Sequence, residues 1–413
     1  MTVAIRCGRV LDVESGVIHG ERVIHVADDG RITAVGGPDD GIPDDATDVD
    51  LTRHTVLPGL IDTHTHLVGD VQTAGVPATT TSAAQDVLTG VRHARETIEA
   101  GFTTVRDVGT FRAFTDCALR DAIDAGDVVG PRMQCAGAFI TAPWGGGAVV
   151  GLAHDIELPE DLRFGVVRSV DDVRERVRRL MIGRANLIKC IGTGAVLTRG
   201  GVPGAPELSE AEIRAAVEEA GWYDAFVAVH AHGAEGAKRA IRAGVRSVEH
   251  GSYLDAEAIA MLVDTGTFFS VDLYDGEWAL EHGAIEGWPA ETMRKLDESM
   301  VGAEVVVRNA VDAGVRIVFG TDSGVYPHGL NARQFAWYTR CGMTPLAAIR
   351  SATTDAAECL GWADRVGTLT PGRFADVVAV DGDPLVDVTV LERPVVVAKG
   401  GQVVVDRREA VLA

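Results

Sequence analysis

Between residues 58 and 368 short apolar strands alternate with helical stretches, and no other feature narrows the fold as far. Strand candidates fall at 101–107, 186–191, 226–230, 247–250, 268–272 and 316–322. Between them lie helix signals: Ser82 with Gln85 and Ser209 with Glu212 have capping-box spacing, and Gly101 and Gly221 stand where helices should end. Repeated strand–helix units over roughly 310 residues predict an α/β fold with parallel strands, closed into a (β/α)8 TIM barrel. The charged stretch 171–179 alternates acids with arginines and reads as a solvated outer helix.

The two ends of the chain follow another rule. Residues 3–7, 23–26 and 32–35 are β-branched or alternating, and so are 376–380, 395–398 and 403–405, with Lys399-Gly400-Gly401 as a turn. Neither end holds enough apolar surface to stand alone. The expectation is one small β-sandwich from both termini, residues 1–57 plus 369–413, beside a barrel domain at 58–368.

Composition narrows the function. Sixty acidic residues against 38 lysines and arginines give a net charge of −22, which repels phosphate backbones and anionic lipid. No nucleic-acid or membrane partner is expected, and no apolar stretch reaches the ~18–20 residues of a membrane span. The six scattered cysteines fit reduced thiols, and with no secretory signal at the start the expected location is cytoplasmic.

The chemistry concentrates at strand ends. Val56–Ile61 is largely apolar and leads into His64 and His66, whose i, i+2 spacing puts both imidazoles on one face of a strand. A lone pair of this kind is as often a pair of satisfied core histidines. Here, however, His230 and His232 end another strand in the same spacing, His250 ends a third and Asp322 a fourth. Barrel active sites are built from the C-terminal ends of several strands, so these groups should converge at one mouth. Imidazole with carboxylate is a donor set for a divalent ion such as zinc. Lys189 lies inside Leu187-Ile188-Lys189-Cys190-Ile191, where an ammonium pays a desolvation cost unless it is paired or neutral. It can reach solvent past the strand end, act as a low-pKa amine, or take up carbon dioxide as a carbamate that bridges two metals. The neighbouring histidines and aspartate favour the carbamate.

These pieces resemble the amidohydrolase superfamily over essentially the whole chain. The resemblance is carried by residues 58–66, Ile188-Lys189, His230-Ala231-His232-Gly233, Glu249-His250-Gly251, Gly320-Thr321-Asp322 and the tail at 371–378. The branch it is most similar to is the binuclear, Xaa-Pro-dipeptidase-like group, also labelled imidazolonepropionase-related. That resemblance implies two divalent ions, with zinc expected. His64, His66 and Asp322 would hold the first, His230 and His250 the second, and carboxylated Lys189 would bridge them. It implies hydrolysis of an amide bond in a dipeptide, N-acyl amino acid or related small amide by a metal-bridging hydroxide; Asp322 is expected to move the proton and His232 to polarise the carbonyl. A homo-oligomer is expected. The weaker readings are a mononuclear cyclic-amide hydrolase or deaminase, against which Lys189 argues, and a non-catalytic assembly protein, which would have lost ligands.

Three departures from the branch concern substrate handling. The loop at 140–147 lacks the usual Gly-Gly-His histidine, His232 stands where some members have tyrosine, and 190–195 replaces a Ser-Gly-Gly stretch. Tyr326 and His328 are expected to face substrate, Trp144 with Phe139 to wall an apolar pocket, and Arg199 to pair with a substrate carboxylate. Asn331 is expected to cap the next helix. His93 should lie on a helix, while His19, His25, His54, His154 and His282 read as surface or packing residues.

Overall fold

The computed structural model describes residues 2–69, 77–153 and 155–408. His154 and the outermost terminal residues of the expected sandwich lie outside these. Parallel strands form the inner layer. Leu60–Thr65, Phe102–Asp107 and Arg132–Cys135 are hydrogen-bonded in that order. Phe139–Ile140, Leu187–Ile191, Phe226–Gly233, Ser247–Tyr253, Phe268–Val271 and Ile317–Phe319 continue in chain order. Cys135 and Phe139 belong to one interrupted barrel strand: its first half bonds to the second strand, its second half to the fourth. The sequence gives little sign of this third strand, because its Arg-Met-Gln-Cys half has no β-branched residue and Ala-Gly-Ala splits it. Backbone amides of Asp322 and His66 donate to the carbonyls of His64 and Ser323, bringing the last strand back against the first.

The helices sit outside this ring and follow the expected signals. Ser82 and Ser209 each close a capping box, on helices Ala83–Glu99 and Glu210–Gly221. Gly101 takes a left-handed φ of 95° just past the first. Gly221 instead stays inside its helix, and Asp224, at φ 54°, carries the turn. Val170–Ile182 is the charged outer helix; Val173, Val177 and Leu180 face the core.

Strands from both chain ends join one eight-stranded sheet, in which Thr47–Pro58 pairs with Val3–Leu11 on one side and Val377–Val380 on the other. Its arms share one apolar cluster, which includes Ile24 and Val26 from one arm and Val396 and Ala398 from the other. Thr47–Pro58 runs through Gly59 directly into the first barrel strand, which fixes where His64 emerges. All six cysteines are free and buried. No helix among the described residues is long and apolar enough to cross a membrane.

Candidate metal centre

The strand ends meet at one mouth. His64, His66, Lys189, His230, His232, His250 and Asp322 all line a single cavity with about 930 Å³ of free space, part of it open to solvent. Ring centroids are 4.7 Å apart for His64 and His250, 4.4 Å for His230 and His250, and 4.6 Å for His230 and His232. Asp322 Oδ1 stands 3.2 Å from His66 Nε2 and 3.5 Å from His64 Nε2. Two sets of donor atoms are close enough to share an ion: His64, His250 and Asp322, and His230, His232 and His250.

Each imidazole but one is held by its Nδ1 so that Nε2 faces inward. His64 donates to Glu249 Oε2 (2.8 Å), His66 to the Gly109 carbonyl (2.7 Å) and His250 to Asp272 Oδ2 (2.7 Å). His232 Nδ1 meets Ser252 Oγ at 2.9 Å. Such outer partners set the tautomer and aim of a ligating imidazole. Glu249 is fully buried and also takes a hydrogen bond from Arg106 (2.9 Å), so its charge is compensated in the barrel interior. Burial alone would raise its carboxyl, but Arg106 and His64 hold it well below the ordinary range.

Most of the protonation states suit cation binding; His250 differs, because Asp272 and Asp322 outweigh burial and raise it above the imidazole norm. Burial lowers His64 to about 4 and His232 to about 3, and it takes His230 well below the imidazole norm, so these rings are neutral donors at neutral pH. Burial pushes the Lys189 ammonium down to about 8, leaving on the order of a tenth of the amines neutral at pH 7. Burial opposes ionisation of Asp322, but His66, His64 and His250 outweigh it and hold the carboxyl below its usual value. Lys189 Nζ and His230 Nε2 are both buried and find no hydrogen-bond partner among the described residues. Buried polar atoms are normally satisfied, so this pair fits a centre completed by a group the chain does not supply.

Backbone strain falls on the same residues. His250 (φ 70°) and Asp322 (φ 52°) adopt left-handed conformations that side chains other than glycine rarely take. Gly320 packs so close to His64 and Ser270 that a Cβ there would collide with the Ser270 hydroxyl.

Four residues expected at the substrate do not line this cavity. Tyr326 is fully buried, edge-on to Tyr274 with centroids 5.1 Å apart, because the loop after Asp322 turns into the core. His328 stacks on His93 at 4.3 Å, its Nδ1 3.2 Å from Thr97 Oγ1, facing helix Ala83–Glu99 rather than the mouth. Trp144 is 70% exposed and lines a separate surface groove with Val149 and Leu158. Arg199 is exposed. Asn331 is no helix cap: its amide donates to Asp62, Thr321 and Ser323, bracing the strand end that carries Asp322. Phe139 does wall the cavity, 5.7 Å from His66 between ring centroids.

The rest of the lining went unnoticed in the sequence. Leu296, Met300 and Ala303 come from the long helix Ala290–Ala313, and Asp272 and Asp275 from the end of Phe268–Val271 and the next turn. Asp272 could have been found by the strand-end rule that found His250. Glu249 could have been found by the reasoning that singled out Lys189, a charge inside an apolar strand.

Known proteins resemble the chain over most of its length. A crystal structure of a Xaa-Pro dipeptidase with methionine bound in the active site superposes with a TM-score of 0.91 at 35% identity, covering 98% of this chain and 99% of that one. A prolidase complexed with N-methylphosphonate-L-proline gives 0.91 at 30%, covering 98% and 100%. Ochratoxinase from Aspergillus niger is 31% identical over 400 residues, 90% of this chain and 81% of the enzyme. The sequence model of the Amidohydrolase family matches residues 55–404, and the chain belongs to that family.

Proposed function

We propose that this hydrolase of carbon–nitrogen bonds cleaves the amide of a dipeptide, an N-acyl amino acid or a related small amide at a centre of two divalent ions, with zinc the first choice. One observation carries the reading: the Lys189 amine is buried without a partner among the described residues, in the cavity lined by four imidazoles and Asp322 of the expected ligand set. Imidazole and carboxylate donors fit zinc, and a carbamate on Lys189 would convert its orphaned cation into an anion. His64, His66 and Asp322 would hold one ion and His230 and His250 the other, and Lys189, once carboxylated, would add an anionic ligand to both. When bound, such ions supply a Lewis acid and water acidified to near neutrality.

The chain's own groups do the rest. Asp322, ionised and at the lip of the cavity, accepts a proton from the attacking water and returns it to the leaving nitrogen. His232 Nδ1 is paired with Ser252 Oγ at 2.9 Å; in the tautomer where Ser252 donates, the ring's proton is on Nε2 and can meet negative charge growing on the carbonyl oxygen. Glu249, the Gly109 carbonyl and Asp272 keep three rings aimed while charge moves. Support for an amide substrate comes from the relatives named ochratoxinase and Xaa-Pro dipeptidase. We also place the protein in the cytoplasm, where six free cysteines stay reduced.

The test is a panel of dipeptides and N-acyl amino acids offered to protein reconstituted with zinc, alongside metal analysis. Two ions per chain with turnover of at least one amide are expected. Two bound ions with no amide cleaved would contradict the substrate assignment, and fewer than two would contradict the centre.

A further inference from the structure

A second groove, with about 920 Å³ of free space partly open to solvent, adjoins the metal cavity. The loop at 141–149 is the wall between them. Its Gly146 and Gly147 line the metal cavity, whereas Trp144, Ala148 and Val149 line the groove. The other wall, residues 158–168, is tied to this loop by backbone hydrogen bonds. Thr141 donates to the Gly165 carbonyl and Val167 to the Thr141 carbonyl, both at 3.0 Å. Buried Leu162 and half-buried Leu158 and Val166 make this wall largely aliphatic.

The charge in the groove is out of character for a chain of net charge −22. Arg163, Arg168 and Arg176 line it against one carboxylate, Glu160, which Arg179 already engages at 3.0 Å. On the same helix as Arg176, Arg174 and Arg178 also pair with acids, Glu218 and Glu219. Arg176 instead lies over the Phe164 ring, 5.2 Å from its centre, and its Nη1 has no hydrogen-bond partner among the described residues. Arg163 and Arg168 are exposed, and neither side chain has an ion-pair partner among the described residues. Guanidinium groups gathered without acids in an acidic protein concentrate positive potential in one place.

We infer that this groove is a binding site, separate from the metal centre, for an organic carboxylate with an apolar body, an acyl or aryl anion. The guanidinium fork meets a carboxylate through two parallel hydrogen bonds. An alkyl or aryl body would cover Val149, Leu162 and Val166 and lie against the Trp144 indole. An inorganic anion would leave that apolar lining wet, and a neutral apolar molecule would leave the arginines unmatched. The site does not depend on whether the metal centre cleaves amides.

Zinc-loaded wild type is titrated with octanoate, octanol and inorganic phosphate by calorimetry, with tryptophan fluorescence recorded in parallel. The double variant Arg163→Ala with Arg168→Ala, and Trp144→Phe, are titrated with octanoate. Because both arginine side chains are exposed and unpaired, the double variant should keep its fold and metal content. Wild type should bind octanoate saturably and about tenfold or more tighter than octanol or phosphate, as charge-assisted contacts on an apolar bed require. The double variant should lose about tenfold in octanoate affinity, and Trp144→Phe should lose the fluorescence change. Octanoate affinity unmoved in the double variant would place the ligand on the ions and overturn the inference. Octanol or phosphate binding as tightly as octanoate, or no saturable octanoate binding by wild type, would overturn it as well.

Discussion

On one side of the cavity His64, His66, His230 and His250 stand on strand ends, three of them pinned by Nδ1 partners drawn from Glu249, Gly109 and Asp272. On the other, Leu296, Met300 and Ala303 come from a 24-residue helix, which Lys295 ties to the Thr198 carbonyl beside the mouth. The polar side is fixed by directional bonds inside a parallel sheet, where a shift of one residue would turn every ligand away. The aliphatic wall itself is shaped by volume, and volume tolerates exchange of one aliphatic group for another. One side can therefore keep a reaction while the other changes what is admitted.

Substitutions should separate the two sides. Asp322→Asn removes the proton carrier and should lower kcat by about a thousandfold in steady-state assays with zinc-loaded protein, within the range for a general acid–base group. Glu249→Gln keeps the size but loses the charge that aims His64, and should cost about tenfold to a hundredfold in metal affinity by competition with a chelator. Met300→Ala on the apolar side should raise KM by about tenfold for a bulky aliphatic amide, with a smaller change in kcat. A large fall in kcat with KM unchanged would place Met300 among the residues that act on the transition state. Smallest of all, Tyr326→Phe should leave both constants within about twofold, since the residue is fully buried and does not line the cavity.

The contrast also explains what could be read from the chain beforehand. His64 with His66, and His230 with His232, announce themselves because a strand converts an i, i+2 spacing into a shared face. Asp322 and His250 follow from the rule that barrel strands end at the site. The terminal sheet was legible because valine-rich runs at both ends need a partner, and each supplies one to the other. The cavity wall was not legible. Leu296 and Met300 sit in a helix whose apolar positions look like any packing face, and only the helix's placement over the mouth gives them another role. Tyr326 and His328 do not line the cavity, for a related reason. They follow Asp322 closely in sequence, but Gly324, with φ of 117°, lies against the His66 backbone where the loop turns inward. Proximity along a loop predicts little about which way a side chain faces.

Anomalous X-ray diffraction at the zinc edge, from crystals grown with zinc and bicarbonate, puts the whole account at risk in one measurement. Two peaks about 3.5–4 Å apart should appear among His64, His66, His230, His250 and Asp322, with density for a carboxyl group extending from Lys189 Nζ between them. A plain amine at Lys189 with no anomalous peak among those side chains would contradict it.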